Sequence, residues 1–489
     1  MTSALASPVR HPDRLFIGGA WTPSAGGSSF AVTDSNDEGL YVDIVAAGPE
    51  DVSRAVVAAR TAFDSGPWPR MTPAERAPYL RAFVNAIRER SDLIADSWAR
   101  ETGTVVGLGR GGGNAAARFW EQAADLADSV EWTERHPTSD GRGYGLLART
   151  PAGVVGAIIP WNSPMLTGSM KLAPALLAGC TVVLKASPEA PVSAYLLAEI
   201  AEEVGLPDGV LNVLTADREV SELLVTDPRV DKITFTGSTA AGRRIGSIVG
   251  GRIGRMTLEL GGKSAAVVLD DADIEAAARS LALSEINMTG QACLSLTRIV
   301  VQRDRHDEML EAIAETFRQV AVGSALETGS QMGPLASAAQ LERVAGYIEI
   351  GRRSGAVLAA GGGRPEHLPR GYFVEPTVFG GVDNSSRIAQ EEIFGPVLSV
   401  IPADSEDEAI RIANDTVYGL YGSVFTSDTD RYARVAGEIR AGTVSQNGFR
   451  SSTSIAFGGF KQSGVGREGG KEGILDFTET KVLLYDDPA

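Results

Sequence analysis

Histidine is scarce in this chain and cysteine almost absent: four His and two Cys in 489 residues. Two cysteines give neither a disulfide framework nor a zinc cluster, so no metal site is expected. No histidine lies within ten residues of Cys293, so no Cys-His pair is visible around the more suggestive thiol. Long apolar runs are missing as well. No segment reaches the roughly 18 apolar residues of a membrane-spanning helix. The opening "MTSALASPVRHPDR" has no apolar stretch of signal-peptide length. The expectation is a cytoplasmic protein with free thiols. Positive charge is also in deficit, 45 Lys and Arg against 62 Asp and Glu, a net charge of −17. Such a surface repels nucleic acid and anionic lipid, which excludes both as general partners.

What is present is length and glycine. A chain of 489 residues exceeds one ordinary core and predicts two or three domains. The first part reads as helices, one opened by Thr72 with Glu75 three residues later, the pattern of a capping box. A further helix is expected over about 114–130. From Pro151 strands and helices alternate: "GVVGAII", "MLTGSMKLAPALLAG", "TVVLKAS", "PVSAYLLAEIAEEVGLP", "GVLNVLT", "VDKITFTG", "STAAGRRIGSIVG". Apolar strands separated by helices predict a doubly wound parallel sheet, and a second α/β region runs from about 264 to 446. Cys180, inside "LLAGCTVVLK", reads as core packing.

Two glycine loops compete for a phosphate. "GLGRGG" (Gly107 to Gly112) has the GxGxxG form, but no clear strand enters it, so it reads as a helix–helix connection. In "KITFTGSTAAGRRIG" a strand runs into Gly237 and Ser238 and then a helix, whose first N–H groups suit a diphosphate. Small residues there also suit a plain helix cap.

Four short stretches hold chemistry-capable groups. "IIPWNSP" puts Asn162 on a loop at a strand end, where α/β sheets present binding groups, although Asn also bonds its own turn. "LELGGK" holds Glu259 among apolar residues; burial would raise its pKa toward that of a base, and an ion pair with an arginine is the alternative. "GQAC" carries Cys293, a nucleophile or one more buried cysteine. "EEIFGPV" carries Glu392 and Phe394, the latter equally suited to a core.

Together with "LFIGGAW", "KASPEAP", "FTGSTAAG" and "FGGFKQSGVGRE", these stretches resemble the aldehyde dehydrogenase superfamily, in its NAD(P)-dependent, non-acylating branch, over nearly the whole chain. The resemblance implies an α/β fold in three parts. They are a Rossmann-like cofactor domain (1–127 and 149–260), a catalytic domain (261–446), and an oligomerisation element with the C-terminal return (128–148 and 447–489), in which "TKVLLY" adds a strand to a partner subunit. It implies Cys293 as nucleophile, forming a thiohemiacetal and then a thioester, Glu259 as the base for the hydrolytic water, and Asn162 in the oxyanion hole. Lys171 would relay the proton. An unperturbed thiol near 8.5 leaves part of Cys293 as thiolate at neutral pH. For the cofactor it implies Ile159, Trp161, Lys185, Gly237, Ser238, Glu392 and Phe394. NAD is expected, with NADP open, because Pro188 stands where many members have a ribose-binding glutamate and Glu189 follows it. Many members also have a glycine-rich turn where this chain has "ADREVSE". Substrate-lining positions are Ser163, Thr167, Met170, Phe449 and Phe457, few of them aromatic, which implies a medium or bulky hydrophobic aldehyde. A homodimer or homotetramer is expected. A CoA-acylating member would lack Glu259, and an inactive relative would be free to lose the thiol or the base.

Overall fold

The structure is a computed structural model that describes residues 7–486. Residues 1–6 and 487–489, which the signal-peptide reading and the outer domain limits include, lie outside the described residues.

The strand–helix alternation builds an eight-stranded sheet. Its centre is five parallel strands, in the order Arg255–Glu259, Lys232–Thr236, Val154–Ile158, Thr181–Ala186 and Leu211–Thr215. Strands such as "TVVLKA" are largely apolar because helices cover both faces and every position is buried. The N-terminal hairpin Arg14–Ile17 and Ala20–Pro23 closes one edge; the short return strand Gly464–Val465 closes the other, antiparallel to Arg255–Glu259. A seven-stranded sheet follows, parallel except for its edge strand Val357–Ala360. The helix Pro164–Ala178 begins with proline and stops at Gly179, whose φ of 93° is the left-handed conformation that ends a helix without side-chain strain. Thr72 and Glu75 form the expected capping box at the start of Pro73–Glu89.

One expectation is corrected. "GLGRGG" is not a connection: it lies inside the helix Val106–Asp125, which starts earlier than the expected 114 and ends before 130. Two of the four glycines in "GLGRGG", Gly109 and Gly112, are there for packing. A Cβ at Gly109 would stand 3.0 Å from the Ala95 Cα, and one at Gly112 would stand 2.4 Å from the Trp98 ring. Close approach to the helix Ser91–Thr102 thus outweighs the weak helix propensity of glycine. The strand Thr478–Asp486, which contains "TKVLLY", pairs on one side with Gly143–Pro151 of its own chain over nine residues, and its other edge has no strand beside it among the described residues. It forms the edge of a three-stranded sheet completed by Thr133–Pro137.

Candidate active site

The glycines of "LELGGK" explain how the two halves of the molecule meet. A Cβ on Gly261 would lie 2.3 Å from Glu392 Oε2, and one on Gly262 would lie 2.5 Å from the Cys293 carbonyl oxygen. Only glycine lets the segment after Glu259 pass this close to both. The Gly262 N–H donates to Glu392 Oε1 at 3.1 Å. Glu259, Cys293, Asn162 and Glu392 thereby line one chamber of about 260 Å³, with Trp161, Gly237, Ser238 and Phe394 around it.

The loop that carries the thiol is built under strain. Met288, Thr289 and Gly290 all have positive φ (53°, 55° and 67°), and a Cβ at Gly290 would meet Gly395 at 2.3 Å. Such backbone persists only where its surroundings hold it. Gln291 does so: its Nε2 donates to the Thr102 and Met288 carbonyls, and its Oε1 accepts from the Ala336 N–H. Asn162 is buried. Its Nδ2 donates to the Gln291 carbonyl at 2.9 Å, and its own carbonyl accepts from Trp98 Nε1 at 2.7 Å. The amide is therefore fixed beside the thiol loop and is not spent on its own turn; an Nδ2 group has a second hydrogen to offer.

Glu259 ends the strand Arg255–Glu259 and is buried, with neither carboxylate oxygen hydrogen-bonded among the described residues. Burial raises its pKa well above the ordinary carboxylate value, and the charge of Glu468 adds to this; Lys171 and Arg467 oppose it. The ion-pair alternative is not what the geometry contains. Lys171 Nζ instead donates to Glu468 Oε1 at 2.6 Å and to Thr234 Oγ1 at 3.1 Å.

Cys293 departs from its expectation. Burial, then the facing carboxylates of Glu392 and Glu259, push its thiol up to about 12. Without other charges in the chamber, burial and the two facing carboxylates favour the thiol over the thiolate. Sequence reading missed this because Glu392 and Glu259 are 99 and 34 residues away in the chain.

Of the expected cofactor contacts, Trp161 stands edge-on to Phe394 (5.4 Å, 85°), and Phe394 adopts a φ of 64° with its carbonyl accepting from Gln340 Nε2. Ser238 caps the helix Thr239–Gly251, accepting from the Ala241 N–H at 3.3 Å, and lines the chamber as well. Lys185 lines a second cavity of about 320 Å³, together with Ile158, Glu189, Asp217 and Arg244. Burial lowers its pKa to about 8 against the opposing charges of Glu189 and Asp217. Asp217, in the segment that replaces a glycine-rich turn, caps the helix Arg218–Thr226 through the Val220 N–H at 2.9 Å. Ile159 lies in the core, and its neighbour Ile158 is the one that lines this cavity; adjacent residues of an extended chain point to opposite faces.

None of the five expected substrate-lining residues borders the 260 Å³ chamber. Ser163 borders a small void beside Trp98. Thr167 Oγ1 donates to the Ser163 carbonyl at 2.9 Å, and Met170 is buried in the same helix. Phe449 is exposed and tilts against Tyr421. Phe457 exchanges two backbone hydrogen bonds with Glu468. Gln340, Arg343 and Glu468 were not foreseen. Gln340 and Arg343 line the chamber from the helix Ala338–Arg353, where the sequence reads as an ordinary amphipathic surface. Glu468 had one signal: an acid inside the quoted "GRE". Among the described residues no group of three or more His, Cys, Asp or Glu is placed to hold a metal, and no helix is long and apolar enough to cross a membrane.

Comparison with known proteins agrees with this geometry. The profile described as "Aldehyde dehydrogenase family" matches residues 21–483. The chain is 44% identical over 470 residues to geranial dehydrogenase of Castellaniella defragrans, covering 96% of this chain and 98% of that one. It superposes on an aldehyde dehydrogenase of Mycobacterium tuberculosis complexed with NAD+ at a TM-score of 0.95 and 44% identity, covering 97% and 98% of the two chains. It superposes on an aldehyde dehydrogenase C mutant of Pseudomonas syringae complexed with NAD+ and octanal at 0.94 and 37% identity, with the same coverage. A match over almost the full length, on a site that unites thiol, amide and buried carboxylate, means that the chain belongs to the aldehyde dehydrogenase family and is an oxidoreductase acting on aldehydes.

Proposed function

We propose that the protein oxidises a medium or bulky hydrophobic aldehyde to its carboxylic acid with NAD+, through covalent attachment to Cys293. The observation that carries this is the single chamber lined by Cys293, Asn162, Glu259 and Glu392.

The donor set fits a dinucleotide. The 260 Å³ chamber contains the N-terminus of the helix Thr239–Gly251, with Gly237 and Ser238, suited to a diphosphate. Lys185 in the second cavity is placed for ribose hydroxyls, with Glu189 and Asp217 close enough to act on its charge. Two carboxylates there disfavour a 2′-phosphate, which supports NAD over NADP. Glu392 is a half-buried acceptor suited to the second ribose, beside the Trp161–Phe394 pair. When bound, the nicotinamide supplies the hydride acceptor.

The chain's own residues do the rest. The Cys293 thiol gives its proton to chamber water, its sulfur bonds to the aldehyde carbon as the C=O π pair moves to oxygen, and the resulting alkoxide is met by the Asn162 amide and the Cys293 backbone N–H. After oxidation the acyl group is a thioester on Cys293. Glu259 removes a proton from water, the water oxygen bonds to the acyl carbon, and the C–S bond breaks with its electron pair on sulfur. Glu468, held by the Lys171 ammonium, stands behind Glu259 to take up the proton. The presence of Glu259 favours hydrolysis over transfer to CoA.

The hydrophobic preference is supported by the exposed apolar side chains of the return segment, Phe449, Ile455 and Phe460. The names of the geranial and octanal-bound relatives point the same way. Met170, Thr167, Ser163, Phe449 and Phe457 remain the proposed walls of the aldehyde passage. Residues 1–127 and 149–260 would hold the cofactor, and 261–446 would carry the nucleophile. The outer edge of Thr478–Asp486, with Val482, Leu484 and Tyr485 exposed, is the proposed contact with a second copy in a homodimer or homotetramer. A cytoplasmic location is part of the same reading.

A panel of aliphatic, terpenoid and aromatic aldehydes with NAD+ and with NADP+, followed by absorbance of the reduced cofactor, tests it. Terpenoid or long aliphatic aldehydes with NAD+ should turn over best, and Cys293→Ala should abolish turnover. No reduction of either cofactor by any aldehyde would sink the proposal.

A further inference from the structure

Alternation along two neighbouring strands produces a polar file inside an otherwise apolar sheet. Lys232, Thr234 and Thr236 share one face of their strand; Arg255, Thr257 and Glu259 share the same face of the next. The intervening Ile233, Phe235 and Leu258 belong to the core on the opposite side. At the chamber end, the side-chain oxygens of Thr236 and Glu259 have no hydrogen-bond partner among the described residues. One step inward, Thr234 Oγ1 donates to Glu468 Oε1 at 3.0 Å, beside the Lys171 contact. The next step repeats the arrangement: Thr257 Oγ1 donates to Asp476 Oδ2, and Lys232 Nζ donates to the same oxygen at 2.9 Å. The last step is the Arg255–Glu479 pair at 2.6 Å.

Exposure rises steadily along this file. Glu468 is 1% exposed, Asp476 30% and Glu479 43%. Thr234 and Thr257 are register partners on adjacent parallel strands, whose backbones run about 4.8 Å apart. A role limited to fastening the C-terminal return explains ion pairs poorly, because burying charge stabilises little. It also does not explain why the pairs begin at the base and end at water.

We propose that Thr257, Asp476 and Lys232 continue the acid–base chain of Glu259, Glu468 and Lys171, and deliver the deacylation proton to solvent. This rests on the reading of Glu259 as the base for water. The water O–H proton moves to Glu259 and then to Glu468. The Thr234 and Thr257 hydroxyls each accept one proton and donate another, and Asp476 releases one to bulk water. No bond to the chain is changed at the end of the cycle. Lys171 and Lys232 are positioning residues, each holding one carboxylate of the file by a hydrogen bond. Charges that act on Glu259 come from Glu468, Lys171, Arg467 and Asp476.

The test uses the full-length enzyme with octanal and NAD+. Thr257→Val removes the hydroxyl at similar shape, Thr257→Ser keeps it, and Asp476→Asn removes the acceptor. The NADH burst, the decay of the acyl-enzyme and the solvent isotope effect are read across pH. The expected result is an unchanged burst, with acyl-enzyme decay slowed about 5-fold or more in Thr257→Val and Asp476→Asn. Their pH profiles should shift and their isotope effects rise, while Thr257→Ser behaves as the parent. If Asp476→Asn does not fold, the Thr257 pair decides. Equal decay rates, pH profiles and isotope effects in Thr257→Val and the parent would overturn the inference. An acyl-enzyme that decays as fast in Glu259→Gln as in the parent would instead remove the reading on which it rests.

Discussion

The thiol of Cys293 offers the sharpest quantitative test. The structure surrounds it with low-dielectric walls and two carboxylates, and moves its pKa from 9.0 to about 12. At ~1.4 kcal/mol per unit, the thiolate is disfavoured by about 4 kcal/mol. Cys293 is only half-buried, so chamber water screens the carboxylates and this figure is an upper limit. At pH 7.5 the same limit puts the thiolate fraction no lower than about 10⁻⁵, against roughly 3 in 100 for a thiol at 9.0. Iodoacetamide alkylation of the cofactor-free protein, quantified by mass spectrometry, reports that fraction. The logarithm of the rate should climb with unit slope from neutral pH to about 10 without levelling. Glu392→Gln removes the larger of the two facing charges and should raise the neutral-pH rate about 3- to 10-fold. Cys180 is fully buried with a pKa of about 11, and Cys293→Ala supplies the background. A plateau near pH 8 in the unliganded parent, or no acceleration in Glu392→Gln, would refute the argument.

Further outcomes follow from the same geometry. Asn162→Ala should lower kcat about 10²- to 10³-fold, since one oxyanion donor is lost; a change in KM alone would remove it from that role. Lys185 should titrate near 8, visible by NMR of the reductively methylated side chain. Glu189→Gln and Asp217→Asn should each move it lower, because both carboxylates raise it; an upward shift would show the sign to be wrong. Glu259→Gln should leave the NADH burst and accumulate the acyl-enzyme, detected as a mass increase on Cys293. Leu484→Asp, at a position 74% exposed on the edge strand, should shift sedimentation toward monomer while leaving the thermal midpoint of the monomer fold nearly unchanged.

Much of the site was legible from short segments because its chemistry sits at strand ends and turns, where sequence constraints are local. Gly237 and Ser238 follow their strand directly, and Glu259 ends its own. Gly261 and Gly262 are required by contacts with Glu392 and the Cys293 carbonyl, a demand visible only as a "GG" in sequence. Gln340 and Arg343 were not legible: their helix carries an ordinary polar face, and only packing turns part of it into the chamber. The glycines of "GLGRGG" misled in the opposite sense, since the reason for Gly109 and Gly112 is a neighbouring helix.

By itself the sequence determined the residue types, the alternation of strands and helices, and, through resemblance, the family and the identities of Cys293, Glu259 and Asn162. The tertiary structure alone decided which carboxylates face Cys293, the core position of Ile159, the in-chain partner of Thr478–Asp486 and the polar file behind Glu259. The physical reason is the same in each case. Desolvation, facing charges and strand partners are set by groups far away in the chain, and those groups come together only once the fold is complete.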